Sequence, residues 1–237
     1  MSARLSFYEI PQIPIIGLEL LADRIEAERF TARKSSGFLI TKQSKKGVDG
    51  RYVQKISSED VFTDPLGKEH RQDTTYFLEQ PFILRDSSPQ LIVFNANPLL
   101  RTLTGRLSEF SDFRVSIKGM EWSPETLLQS LAKIVPVFRV YAVKVNNVRL
   151  SPAVEARLTC EGSSQDVRID VRKFLRRKDV SFASLKVEFE YGKTIRKCEI
   201  RRDGALHLFG SPDPILTDLW IELVSSLSTQ KSQPQRL

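Results

Sequence analysis

The chain has 237 residues, 41% of them apolar, and a formal net charge of +7. That length admits one large domain or two small ones with a real core, and no apolar run of roughly eighteen residues offers a membrane span. The opening "MSARLSFYEIPQIP" lacks the charged-then-apolar pattern of a secretory signal, so we expect a cytoplasmic chain whose Cys160 and Cys198 stay reduced as structural thiols.

In chain order, residues 14–30 read as one helix, with Ile16, Leu20, Leu21 and Ile25 on its inner face. Residues 41–74 are polar and rich in turn formers, which predicts loops, with short strands only near 38–41 and 52–56. Firmer strands follow at 76–84 and 91–94, separated by a turn of polar residues and proline from Asp86 to Gln90. Asn97 then suits an N-cap and Pro98 a first helical position. Leu99, Leu100, Leu103, Leu107 and Phe110 recur at helical spacing behind them, and Gly105 weakens that helix by about 1 kcal/mol relative to Ala. Residues 113–119 read as a strand joining two halves.

The second half opens on Ser123 as a cap, Pro124, and an inner face of Leu127, Leu128, Leu131 and Ile134. Trp122 stands where it can staple onto Leu127. A buried strand over 137–145 follows, and then the period switches to two. Val154, Ala156, Leu158 and Cys160 alternate with polar residues; so do Val167, Ile169 and Val171 with Arg168, Asp170 and Arg172, and Leu185, Val187, Phe189 and Tyr191 with Lys186, Glu188 and Glu190. All three stretches predict strands with one wet face. "RRDGA" carries Asp-Gly, a tight-turn pair. Asp213 and Pro214 begin a last helix that buries Ile215, Leu216, Leu219, Trp220, Leu223, Val224 and Leu227, leaving Asp218 and Glu222 in water. Residues 229–237 are a polar tail, expected to be disordered.

"LIVFNANPLLRTLTGRL" and "LHLFGSPDPILTDLWIEL" repeat one phrase of apolar strand, turn, Pro and amphipathic helix. Their caps, Asn97 and Asp213, lie 116 residues apart. The fold expected is therefore α+β: antiparallel sheets with helices on one face, in two similar helix–strands–helix halves, 1–120 and 121–228. In element order alone this resembles the saddle fold of TATA-box-binding proteins; no motif of that family is present.

No catalytic constellation stands out. Only His70 and His207 are present, and no Cys pair has ligand spacing, so neither a zinc site nor a cofactor is expected. His70 reads as a charged-loop residue and His207 as a strand-surface one. There is no G-x-S-x-G, and "SKKGVDGR" lacks the spacing of a phosphate loop. Asp73 with Glu79, and Glu188 with Glu190 and Lys193, match no metal-nuclease signature. An enzyme is the less favoured reading.

The informative signal is basic. Residues 1–120 hold 17 Lys and Arg against 15 Asp and Glu, a net of +2, and residues 121–237 hold 19 against 14, a net of +5. "VRIDVRKFLRRKD" carries Arg168, Arg172, Lys173, Arg176, Arg177 and Lys178. "KTIRKCEIRR" carries Lys193, Arg196, Lys197, Arg201 and Arg202. Arg forks match phosphate oxygens, and each phosphate neutralised releases counterions. Phe174, Phe182 and Tyr191 lie nearby as candidates to stack on bases. The opposing reading is that Asp170, Glu188, Glu190 and Glu199 neutralise these cations within the sheet, at roughly 0.2–1 kcal/mol per cross-strand pair. The function expected is a non-catalytic nucleic-acid-binding module, for DNA or RNA, using the first ten of these cations. The alternative is a scaffold subunit whose basic patch meets an acidic protein. Neither involves a membrane.

Overall fold

The computed structural model describes residues 2–135, 138–151, 153–163, 166–210 and 213–231. In chain order they form β1 (Ser2–Glu9), α1 (Ile13–Ile16), α2 (Leu18–Ala27), β2 (Ser36–Ser44), β3 (Gly47–Thr63), β4 (Glu69–Arg85), β5 (Leu91–Phe94), α3 (Leu99–Phe110), β6 (Lys118–Gly119), α4 (Pro124–Ala132), β7 (Phe138–Ser151), β8 (Val154–Glu161), α5 (Val167–Leu175), β9 (Phe182–Tyr191), β10 (Thr194–Arg201), β11 (Ala205–Phe209) and α6 (Pro214–Lys231). Two compact units result: residues 10–117, and residues 1–9 with 118–237.

This composition overturns the α+β expectation. Among the described residues strands make up 47% and helices 27%, in eleven antiparallel strands and six helices. The chain is mostly β, without a helical layer laid over the sheet. The largest source of the error is 41–74. That polar stretch is strand, not loop, because β3 and β4 pair in unbroken register from Gly47↔Arg85 to Thr63↔Glu69. Cross-strand hydrogen bonds are indifferent to side-chain polarity, so a two-stranded ribbon needs no apolar period where both faces are wet. His70 accordingly lies in β4, stacked on Phe62 and hydrogen-bonded to Asp64 at 3.0 Å, not in a loop.

In the unit of residues 10–117, β2, β3, β4 and β5 pair in chain order. The expected first helix is two: Gly17 breaks it at φ 90, and Leu18, Leu21, Ala22 and Ile25 are the residues α2 buries, while Leu20 is exposed. The core gathers Phe38, Tyr52, Phe82 and Phe110, whose rings meet Phe38 at 5.0–6.0 Å. Gln80 is fully buried yet satisfied, donating to the Phe94 carbonyl at 2.8 Å and accepting from Asn97 N–H at 2.9 Å. Asn97 caps α3 as its sequence suggests, its Oδ1 accepting from Leu99 N–H at 2.9 Å.

In the other unit, β7, β9, β10 and β11 also pair in chain order, β1 adds to β11, and β8 lies on the far side of β7. β8 and α5 are thus inserted between the first two strands of that run. Of 113–119 only Lys118 and Gly119 are strand, paired to Glu9 and Tyr8. Gly204, at φ 71, closes the β10–β11 turn directly against the Met120 carbonyl; any Cβ there collides with that oxygen. Asp213 Oδ1 accepts from Ile215 N–H at 3.0 Å and starts α6, whose Trp220 is fully buried beside Phe189. Ile215 is exposed rather than buried. Helix α6 continues to Lys231, past the expected start of a disordered tail; residues 232–237 lie outside the described residues.

Candidate nucleic-acid interface

The segment 166–178 carries most of the expected contacts, and it is a helix where alternation predicts a strand. Val167 and Val171 are buried and Ile169 is exposed, so the period in use is four, not two. Asp166 decides this: its carboxylate accepts from Arg168 N–H at 3.0 Å and caps the first turn. The helix closes with Arg176 in the left-handed region at φ 51. Arg176 N–H then reaches the Lys173 carbonyl at 3.1 Å and Arg177 N–H the Arg172 carbonyl at 3.2 Å. That paired closure normally uses Gly. Lys173, Arg176, Arg177 and Lys178 are exposed at the carbonyl end of α5, where the helix dipole favours cations.

The ten candidate cations separate into two groups. Arg168 is held by Asp166 at 2.6 Å and Glu125 at 3.5 Å, and Arg172 by Glu125 at 2.5 Å. Arg196 does not face outward. It stands opposite Phe189 in the register that also places Cys198 opposite Val187, and it is bound to the Asp213 cap at 2.5 Å. Lys197 pairs with Glu188 at 3.1 Å and Arg201 with Asp203 at 2.6 Å. These five are neutralised within the fold. Lys173, Arg176, Arg177, Lys178 and Lys193 are exposed and carry no ion pair among the described residues. Lys193 sits in the β9–β10 turn, the length of β9, roughly 30 Å, from the strand's first residue. The other four fall within six residues, 173–178.

The outer sheet face around β9 is a chequerboard. Glu188 receives both Lys197 and Arg139, Lys186 meets Glu161 at 3.0 Å, and Arg139 and Lys197 lie over the Tyr141 ring. The hydrogen bond from Lys197 holds the Glu188 carboxyl below its ordinary value, and the bond that Lys186 donates to Glu161 raises the Lys186 ammonium. This face offers a polyanion little net charge.

Beside the α5 turn lies a cleft of about 560 Å³. Its walls come from the end of β7 (Asn146, Asn147, Arg149), the end of α5 (Phe174, Arg177), residues 179–181 and Arg202 of the β10–β11 turn. Three guanidiniums thus stand against the single carboxylate of Asp179 among the lining residues. Arg202 donates to the neutral Ser181 hydroxyl at 2.6 Å and has no ion pair among the described residues. Arg149 approaches Glu155 only at 3.7 Å, with both side chains more than half exposed, a geometry worth little in water. Phe174 is 75% exposed at the cleft, whereas Phe182 is buried beneath Arg172 and is core, not a stacking platform. Tyr191, at the other end of β9, is not at the cleft.

No protein-family model and no curated protein matches the chain. Among the described residues no helix is long and apolar enough to cross a membrane, and no group of three or more His, Cys, Asp and Glu is placed to hold a metal ion. Cys160 and Cys198 are free thiols; burial pushes the Cys198 thiol strongly up.

Sequence reasoning missed Arg149, Asn146, Asn147 and Ser181. One signal was present: an Asn-Asn pair inside an apolar strand run marks a bulge or turn. Here Asn147 takes φ 55, and the β7–β8 register shifts between Val145 and Val148.

Proposed function

We propose that the chain is a non-catalytic nucleic-acid-binding module of the cytoplasm. Its contact surface is the α5 turn of Lys173, Arg176, Arg177 and Lys178, with Arg202 and Arg149 across the adjoining cleft. The observation that supports this reading is the clustering of unneutralised cations on one helix end, while half of the basic residues considered are matched by acids. Guanidiniums with free donor edges suit phosphate oxygens, and such binding weakens steeply with salt.

The test is retention of duplex and single-stranded DNA and RNA at low and moderate salt, by wild type and by the double variant Arg176→Glu, Arg177→Glu. The reading expects retention that fades with salt and is markedly weakened in the variant. Binding indifferent to both would sink it. Retention by polyglutamate, with none by any nucleic acid, would assign the same patch to an acidic protein instead.

A further inference from the structure

The cleft next to the α5 turn differs from a flat basic surface in two respects. It has depth, and it holds an aromatic ring that the fold does not use. Phe174 is 75% exposed, makes no ring contact among the described residues, and sits at the end of a helix whose buried positions are Val167 and Val171. Leaving a Phe in water forgoes most of the stabilisation that burying its ring would give. Around it stand Arg177 and Arg202 as charged donors and Asn147 as an amide able both to donate and to accept. The volume, about 560 Å³, lies within the range of roughly 300–1,000 Å³ typical of small-molecule sites. A base inside a duplex cannot enter a cleft of this size without leaving the stack.

We infer that the cleft takes one unstacked nucleotide of a single strand. Phe174 supplies the face on which the base stacks, and Arg177 and Arg202 bind the flanking phosphate oxygens. The α5 turn then tracks the neighbouring backbone. This inference rests on the nucleic-acid reading and adds a preference that a basic patch alone does not have: single strand over duplex, with little dependence on sequence, because every base has a π-face.

The experiment is a fluorescence-anisotropy titration of a labelled single-stranded oligonucleotide and of its duplex, with wild type, Phe174→Ala and Arg177→Glu. Single strand is expected to bind at least about tenfold more tightly than duplex. Phe174→Ala is expected to weaken single-strand binding by roughly 5- to 150-fold, the equivalent of losing one stacked base, and to leave duplex binding and the salt slope unchanged. Because Phe174 is exposed, its removal leaves the core intact, and an unchanged thermal melt checks this. Equal affinity for both forms, with Phe174→Ala silent, would overturn the cleft inference while leaving the basic-surface reading standing. No binding of either form at low salt would overturn both.

Discussion

At the scale of single residues, Arg176 presents a conflict between stability and charge. Its φ of 51 is a backbone that glycine adopts freely and a residue with a Cβ adopts at a cost of about 1 kcal/mol. Arg176→Gly is therefore expected to raise stability by up to about 1 kcal/mol in urea denaturation, while weakening nucleic-acid binding by removing one cation. A variant that loses stability would show that the Arg176 side chain supports the fold. The two thiols give a second contrast. Burial raises the Cys198 thiol far above its ordinary range, whereas Cys160 is only partly covered. A disulfide-exchange reagent is expected to titrate one thiol in the native protein and two in denaturant; two fast native thiols would contradict the burial of Cys198. The cations themselves were legible in the sequence, but their partners were only partly so. Arg168 finds Asp166 only two residues away, a pairing that the helix cap at Asp166 sets. Arg172 finds Glu125 at a separation of 47 residues, which only the tertiary fold reveals.

At the scale of elements, the Pro-started helices α3 and α6 were legible because cap, Pro and apolar stripe agree. Two other elements were not. In α5 the string Val-x-Ile-x-Val fits both periods, and the cap at Asp166 decides between them. In β3 and β4 pairing supplies what composition lacks. β2 supports β3 only as far as Gln54, and β5 supports β4 only over 82–84, so beyond them the hairpin is a bare ribbon. Such ribbons are marginal alone. Amides of 57–63 and 69–75 are expected to exchange before those of 47–54, and equal protection along the hairpin would show that something covers its outer part. The tip hangs on Asp64, which accepts from Leu66 and Lys68 N–H at 2.9 Å and bonds His70. The His70 bond first, then Lys68, holds the Asp64 carboxyl below its ordinary value of 3.8. Its contribution is thus complete above that ordinary value and is lost as pH falls through the lowered one. The Phe62–His70 stack should accordingly persist at about pH 5 and loosen only in stronger acid, followed by the His70 ring resonances.

At the scale of the whole molecule, the compact units divide the charge unequally. Residues 10–117 hold 15 Lys and Arg against 14 Asp and Glu, a net of +1; residues 1–9 with 118–237 hold 21 against 15, a net of +6. The sequence halves already leaned this way, but net charge alone cannot distinguish a binding surface from a soluble one. What separates them is whether the charges act together on one polyanion. Each phosphate contact contributes roughly 0.7–0.9 to the slope of log affinity against log salt, and a charge that only raises the general field contributes to affinity without contacting a phosphate. Two double variants that remove the same charge from the full chain make the distinction. Arg176→Glu with Arg177→Glu is expected to lower the slope by about 1.4 to 1.8. Lys45→Glu with Lys46→Glu, at the β2–β3 turn of the near-neutral unit, is expected to leave the slope unchanged and to lower affinity only slightly. Equal loss of slope in both would mean that the excess charge acts diffusely over the surface, and that the α5 turn is one basic segment among several, not the place where the strand is held.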